Sequence, residues 1–298
     1  MTFKEHFRTN FNIRIQECGI GTPLSDLLNG RLVKDFLCST SLFKYNHITI
    51  KADPFLFSYN GRLYVFYEEK QRKYKGVLKM VSTEDFENWT CPALVLKESF
   101  HLSFPYVFED NGTVYLLPEC GESNSIRLYK FTDTSLSKVE FLSSLVEGNY
   151  VDSSIIKRKG KYYLFTSNPQ FEQKLFMSDT LTTGYKEHPA SPIYVGPDFG
   201  RNGGSVISYN DCLYRISQDC SRLYGGNVSI HKIDQINPSM YKETLVGRNI
   251  LKKTIPFYEY GGHQFNIVEY KSKIYVATDA LCLSYNIFQL IDKMINKI

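Results

Sequence analysis

The chain has 298 residues, 43% hydrophobic, 15% aromatic and 22% charged, with 35 Lys+Arg against 31 Asp+Glu. This much aromatic surface offsets the entropy of ordering once buried, which excludes a disordered polypeptide. A net charge of +4 with no Lys/Arg block excludes a nucleic-acid reader. The 22 Tyr and 21 Phe suit half-buried pleated surfaces and lean the chain toward β structure.

In chain order, MTFKEHFRTNFNIRIQ offers no apolar run for an export signal. The cysteines at 18, 38, 91, 120, 212, 220 and 282 are odd in number, widely spaced and without CxxC. That reads as reduced thiols in a cytoplasmic protein, not a zinc site or disulfide framework. No stretch approaches the length of a membrane span. NIRIQECGI from Asn12 is expected to pair with the last strands of the chain, and residues 22–49 to act as a linker.

From Asp53 onward a unit of strand, turn and strand repeats five times. It reads DPFLFSYNGRLYVFYEE from Asp53, FPYVFEDNGTVYLLPEC from Phe104, DSSIIKRKGKYYLFTSN from Asp152, GGSVISYNDCLYRISQD from Gly203 and QFNIVEYKSKIYVATDA from Gln264. Asn60-Gly61 and Asn111-Gly112 are strong hairpin signals, because Asn and Gly accept positive φ. Lys159-Gly160, Asn210-Asp211 and Lys271-Ser272 stand at the same place. Tyr64, Tyr115, Tyr163, Tyr214 and Tyr275 set the register. Further strand-like runs (GVLKMVS, SIRLYKF, KLFMS, NVSIHKI) fill the gaps, giving roughly 50 residues per unit, the size of a propeller blade. The expected fold is all-β: a single five-bladed β-propeller domain over 1–298, with antiparallel blades from about residue 50. YNIFQLIDKMINKI near the end has helical periodicity and predicts a short C-terminal helix.

In a propeller the starts of the inner strands converge at one mouth of a central shaft. Eleven residues before each marker Tyr stand Asp53, Phe104, Asp152, Gly203 and Gln264. An Asp before a strand is often only a turn residue, but two in matching register make Asp53 and Asp152 candidates for one pocket. Paired carboxylates suit acid/base work, because their surroundings can push the two pKa values apart. Four residues past each Tyr stand Glu68, Glu119, Ser167, Gln218 and Asp279, expected as a polar rim, with Glu119 as a candidate acid in the otherwise apolar LLPEC. Glu69, His101, Ser103, Arg201, Gln218, Asp219, Arg222, Tyr224 and His263 are candidate substrate-binding residues. The glycines of FGRNGGS are expected to let a ligand near the backbone. Trp89 is expected to pack an outer strand.

KADPFLF, followed by a Gly turn and LYVFYEE, resembles the five-bladed propeller glycosidases of the arabinanase and β-xylosidase clan. That resemblance implies a catalytic base at Asp53, an orienting Asp at Asp152 and an acidic Glu in blade four. FHLSFPYVFEDNGTVYLLPE, YVDSSII, HPASPI and YRISQDCSRLYG more closely resemble the N-terminal propeller domain of glucosamine inositolphosphorylceramide transferases and its free-standing bacterial relatives. Where the glycosidases place the blade-four Glu, this chain has Arg201-Asn202-Gly203-Gly204. A phosphate leaving group needs cationic stabilisation and no proton, so Arg for Glu favours glycosyl transfer from a phosphorylated donor, or phosphorolysis, over hydrolysis. The expectation is a glycosyltransferase of surface-polysaccharide synthesis. It would take a nucleotide sugar or sugar phosphate as donor and a glycan as acceptor, with Arg201, Arg222 and His263 holding the phosphate. An intracellular hydrolase or phosphorylase with Glu119 as acid, or a non-catalytic sugar-binding propeller, are the alternatives. No cofactor follows from the motifs; the resemblance to the glycosidases leaves open a central calcium beside His263.

Overall fold

The computed structural model describes residues 8–38, 42, 43, 45, 47–71, 73–283 and 286–295. The opening MTFKEHF and the last three residues of the expected helix lie outside these. Among the described residues the regular structure is almost entirely β, in four sheets whose strand pairs are antiparallel but for one.

Two strands precede the repeats, β1 (Arg8–Gly19) and β2 (Arg31–Phe36). The first repeat supplies β3 (Ile48–Tyr59), β4 (Arg62–Gln71), β5 (Val77–Thr83) and β6 (Ala93–Leu96). The second supplies β7 (Ser103–Asp110), β8 (Thr113–Glu119), β9 (Ser125–Phe131) and β10 (Val139–Glu147). The third supplies β11 (Val151–Arg158), β12 (Lys161–Ser167), β13 (Glu172–Ser178) and two short strands, β14 (Lys186–Glu187) and β15 (Tyr194–Val195). The fourth supplies β16 (Ile207–Tyr209), β17 (Cys212–Asp219), β18 (Asn227–Asn237) and β19 (Met240–Gly247). The fifth has β20 (Phe265–Tyr270) and β21 (Lys273–Leu283), followed by helix α1 (Ile287–Ile295).

β1 pairs with β21 from Arg8↔Leu283 to Gly19↔Lys273, and β2 pairs with β1. The stretch expected as a plain linker thus contributes a strand, so the meander β20-β21-β1-β2 has four strands, like those of the first, second and fourth repeats. A single parallel pair, Phe11↔Ile50, joins it to β3–β6 in one eight-stranded sheet.

All five hairpin turns have positive φ at both central residues: 48° and 73° at Asn60-Gly61, 47° and 56° at Lys271-Ser272. This backbone twist matches that of the flanking strands. Alternation along the strands sends aromatic side chains into cores between neighbouring meanders. Phe55 of β3 meets Phe104 of β7 with ring centroids 4.8 Å apart at 73°, within a cluster that also holds Phe66, Leu116 and Leu128. Trp89 meets Phe36 of β2 edge-on at 5.4 Å.

Candidate functional site

The site is built on a bulge repeated three times. Pairing steps from Ala52↔Glu68 to Phe55↔Phe66, from Ser103↔Glu119 to Tyr106↔Leu117, and from Val151↔Ser167 to Ser154↔Phe165. Each step leaves one extra residue in the first strand, which re-aims a side chain. Asp53, Phe104 and Asp152 take up the left-handed backbone there, with φ of 52°, 46° and 52°. The Phe104 ring turns into the core, whereas the two aspartates are buried with their carboxylates tied to neighbouring meanders.

Asp53 Oδ2 accepts the Phe104 N–H at 3.0 Å, and the Asp53 N–H donates to Asp279 Oδ2 at 3.1 Å. Asp152 Oδ2 accepts from Arg201 Nε at 2.6 Å and from Gln218 Nε2 at 3.1 Å, while its carbonyl accepts from Asn202 Nδ2 at 2.7 Å. The Arg201 guanidinium lies 5.1 Å over the Tyr224 ring. Tyr224, half exposed, stands edge-on to His263 at 5.3 Å, and His263 stacks on Phe11 at 4.3 Å. Glu119 accepts from Ser103 Oγ at 2.9 Å and from the Gly121 N–H at 2.8 Å. His101 Nδ1 accepts the Gly76 N–H at 3.0 Å, and its Nε2 lies 3.5 Å from Glu68 Oε1. Gly76 permits this approach: a Cβ there would stand 2.6 Å from Glu68 Oε1 and 2.4 Å from the Leu102 carbonyl oxygen.

Burial sets the electrostatics. It pushes the Asp53 carboxyl up to about 7 against the pull of His263, with the Asp279 and Asp152 charges adding to the rise. Burial and the Asp152 charge likewise push Glu119 up to about 7. Burial and Asp53 hold Glu68 well above the usual carboxylate range. For His263 burial works the other way, but Asp279 and Asp53 outweigh it and carry the imidazole up to about 9. His101 is pushed down to about 4 by burial and by the Lys70 charge, so its ring is neutral.

Other expected residues lie elsewhere. Glu69 points to the opposite face of β4 from Glu68 and pairs with Lys79 at 2.7 Å. Asp219 caps its own turn, accepting the Ser221 N–H at 3.0 Å. Arg222 is exposed in the loop after β17 and forms no ion pair among the described residues. The glycines of FGRNGGS serve packing: a Cβ on Gly203 would stand 2.8 Å from the His263 carbonyl oxygen, and one on Gly204 2.2 Å from that of Phe265. The expected polar rim is interior, since Glu68, Glu119, Ser167, Gln218 and Asp279 are all buried. Two partners were absent from the candidate site set, Glu68 and Asp279. Their signal was the fixed offset of four residues past the marker Tyr.

Asp53, His263 and Asp279 bring three potential ligand atoms within 4.8 Å of one another. They do not fit calcium, which takes six to eight oxygens. Asp279 Oδ1 accepts the His263 and Gln264 N–H groups at 2.8 and 3.1 Å. Asp279 Oδ2 already takes the Asp53 N–H, and His263 Nδ1 closes on it at 2.6 Å. Both Asp279 oxygens and Asp53 Oδ2 already accept from the protein's own donors, and Asp53 Oδ1 alone does not make a calcium set.

The family profile described as glucosamine inositolphosphorylceramide transferase 1, N-terminal, matches residues 36–279. Glucosamine inositolphosphorylceramide transferase 1 of Arabidopsis thaliana is 32% identical over 207 residues, 65% of this chain. The match spans 27% of that relative's own length. Among solved structures, a β-1,2-mannobiose phosphorylase from Listeria innocua superposes with a TM-score of 0.61 at 10% identity, covering 90% of this chain and 96% of that one. An α-L-arabinofuranosidase from Clostridium thermocellum superposes with a TM-score of 0.54 at 20% identity, covering 76% of this chain and 80% of that one. These likenesses show the fold, a propeller-like all-β architecture.

Proposed function

Because the chain belongs to the family of the N-terminal domain of glucosamine inositolphosphorylceramide transferase 1, we propose that it is a glycosyltransferase moving a sugar from a phosphorylated or nucleotide donor to a glycan acceptor hydroxyl. In this reading the five meanders close as five blades of one domain around an axis, with Asp53 and Asp152 at one mouth, and the protein works in the cytoplasm on surface polysaccharide.

The observation that carries the reading is the pairing of Asp53, a buried carboxyl raised to about 7, with an Arg201–Asp152 ion pair at 2.6 Å. Asp53 takes the proton of the acceptor hydroxyl as the acceptor oxygen bonds to the anomeric carbon. The bond from that carbon to the donor phosphate breaks, and the phosphate leaves with its electron pair. Arg201 binds Asp152 through Nε, and its terminal nitrogens hydrogen-bond the leaving phosphate. Arg222, exposed in the same loop as Tyr224, is the second phosphate ligand of this reading, whereas His263, also expected there, is buried against Phe11 and Asp279. Tyr224 offers an exposed ring for a sugar face.

A second reading is hydrolysis or phosphorolysis, favoured by Glu119. A carboxyl raised to about 7 keeps a large protonated fraction at neutral pH and can give its proton to a leaving alkoxide. Screening nucleotide sugars and sugar phosphates by thermal shift, followed by product analysis with glycan acceptors, separates the two. Transfer predicts stabilisation by a phosphorylated donor and a sugar–acceptor product. Cleavage of aryl glycosides that Glu119→Gln abolishes, with no donor raising the Tm, overturns transfer in favour of hydrolysis. No change of Tm with any sugar overturns both.

A further inference from the structure

The strands that carry the site overshoot it. β3 begins at Ile48, before Asp53, and β21 runs past Asp279 to Leu283. Beyond those same strand ends, the Ile287 N–H of α1 donates to the Leu42 carbonyl at 3.1 Å, and Tyr45 meets Phe288 edge-on at 5.1 Å. Helix and segment therefore stand at the Asp53 end of the molecule.

Ile287, Ile291, Met294 and Ile295 fall at i, i+4, i+7 and i+8, one face of a helix. Such a face is ordinarily the one turned to the core. Here it is turned outward, with the four residues 41, 42, 64 and 62% exposed, beside Leu42 and Phe43 at 46 and 71%. Cations accompany it. The Lys73 ammonium lies 5.5 Å over the Tyr45 ring, and Lys51 and Lys70 lie on the overshooting ends of β3 and β4. The nearby carboxylate of Glu69 is already neutralised by Lys79. An apolar helix face flanked by lysines is the composition that lies in the interface of an anionic bilayer, with the apolar side among the acyl chains and the cations at the phosphates.

We propose that α1 and the Leu42–Phe43 segment form a docking edge that seats on an anionic lipid surface and holds the Asp53 end of the molecule at headgroup level. The occupant is the bilayer, because lysines border an apolar stripe only a few side chains wide, the charge complement of anionic headgroups. The edge is independent of which sugar reaction the site performs.

Co-sedimentation tests it, using vesicles of phosphatidylcholine alone and vesicles that also contain phosphatidylglycerol. The full chain is expected to bind the anionic vesicles and to release at high salt. The double variant Ile291→Glu/Met294→Glu is expected to bind at least about tenfold more weakly, and Lys73→Glu to weaken binding in the same direction. All these side chains are exposed, so Tm should hold, and donor-dependent activity on a water-soluble acceptor should be unchanged. Failure of vesicle binding with that activity intact sinks the docking edge alone; binding without any sugar transfer sinks only the transfer reading. Binding that neither variant weakens overturns the proposal. So does a chain that ignores vesicles and is a dimer by light scattering, turned monomeric by the double variant, which would make the stripe a seam between two copies.

Discussion

Asp53 and Glu119 are carboxyls whose folded state favours the proton. Ionised Asp53 and protonated Glu119, both near 7, make activity that uses both bell-shaped and centred close to neutrality. A pH–rate profile checks this. Asp53→Asn should lower turnover about 10²–10⁴-fold and remove the acid limb, whereas Glu119→Gln should act on the alkaline limb. Stability follows the same groups. Between their ordinary values near 4 and their folded values near 7, the native state binds more protons than the unfolded one, so stability falls as pH rises through that window. His263 adds stability that is full below 6.5 and is lost as pH rises through about 9. Above pH 6.5, where the depressed His101 no longer works against them, both slopes have one sign: Tm should decline from pH 6.5 to pH 9, and a flat or rising Tm by scanning fluorimetry would contradict the burial of these groups. At this scale the sequence was legible where register applied. Asp53, Asp152 and Glu119 stand at repeat positions. Glu69 was one residue off, and strand alternation puts one residue off on the wrong face. Arg222 and Asp219 lie in and beside a loop with no period to read.

At the scale of elements, the hairpins were legible because Asn-Gly carries its own turn chemistry. Lys271-Ser272 was legible only by register, yet it adopts the same left-handed pair of conformations. Ser272→Gly should therefore raise stability by about 1 kcal/mol, measured by urea denaturation. The bulges were not legible. Asp, Phe and Asp share no chemistry, and only the pairing step reveals that all three hold positive φ. Nor was the buried network of the fourth meander. Arg215, fully buried, binds Glu243 through Nε at 2.8 Å and donates to the Phe199 carbonyl at 3.0 Å, anchoring the loop that delivers Arg201. Glu243 also lies 3.3 Å from His231 Nδ1, whose Nε2 is 3.0 Å from Ser217 Oγ. Arg215→Met leaves that carboxylate without its partner and should cost about 3–5 kcal/mol of unfolding free energy.

For the molecule as a whole, composition and the repeat foretold a β architecture. The division into four sheets, with the first and last meanders fused through Phe11↔Ile50, had no sequence signal, since one backbone pair leaves no pattern. The centre is tied by carboxylates that accept backbone N–H groups from the next meander: Asp279 from Asp53, Asp53 from Phe104. With those oxygens committed, neither added calcium nor a chelator should move the Tm. A rise with calcium that His263→Gln abolishes would show a cation competing successfully for them.

β1 finds its long partner only in β21, at the other end of the chain. A ribosome makes β1 well before β21, so the early strand waits while the repeats between them are made, with the edge away from β2 unpaired. Its hydrogen-bonding groups are then free to recruit a strand from another nascent chain. Crowded expression should consequently cost yield through aggregation before completion, and slower translation or chaperone cover of that first strand should recover it.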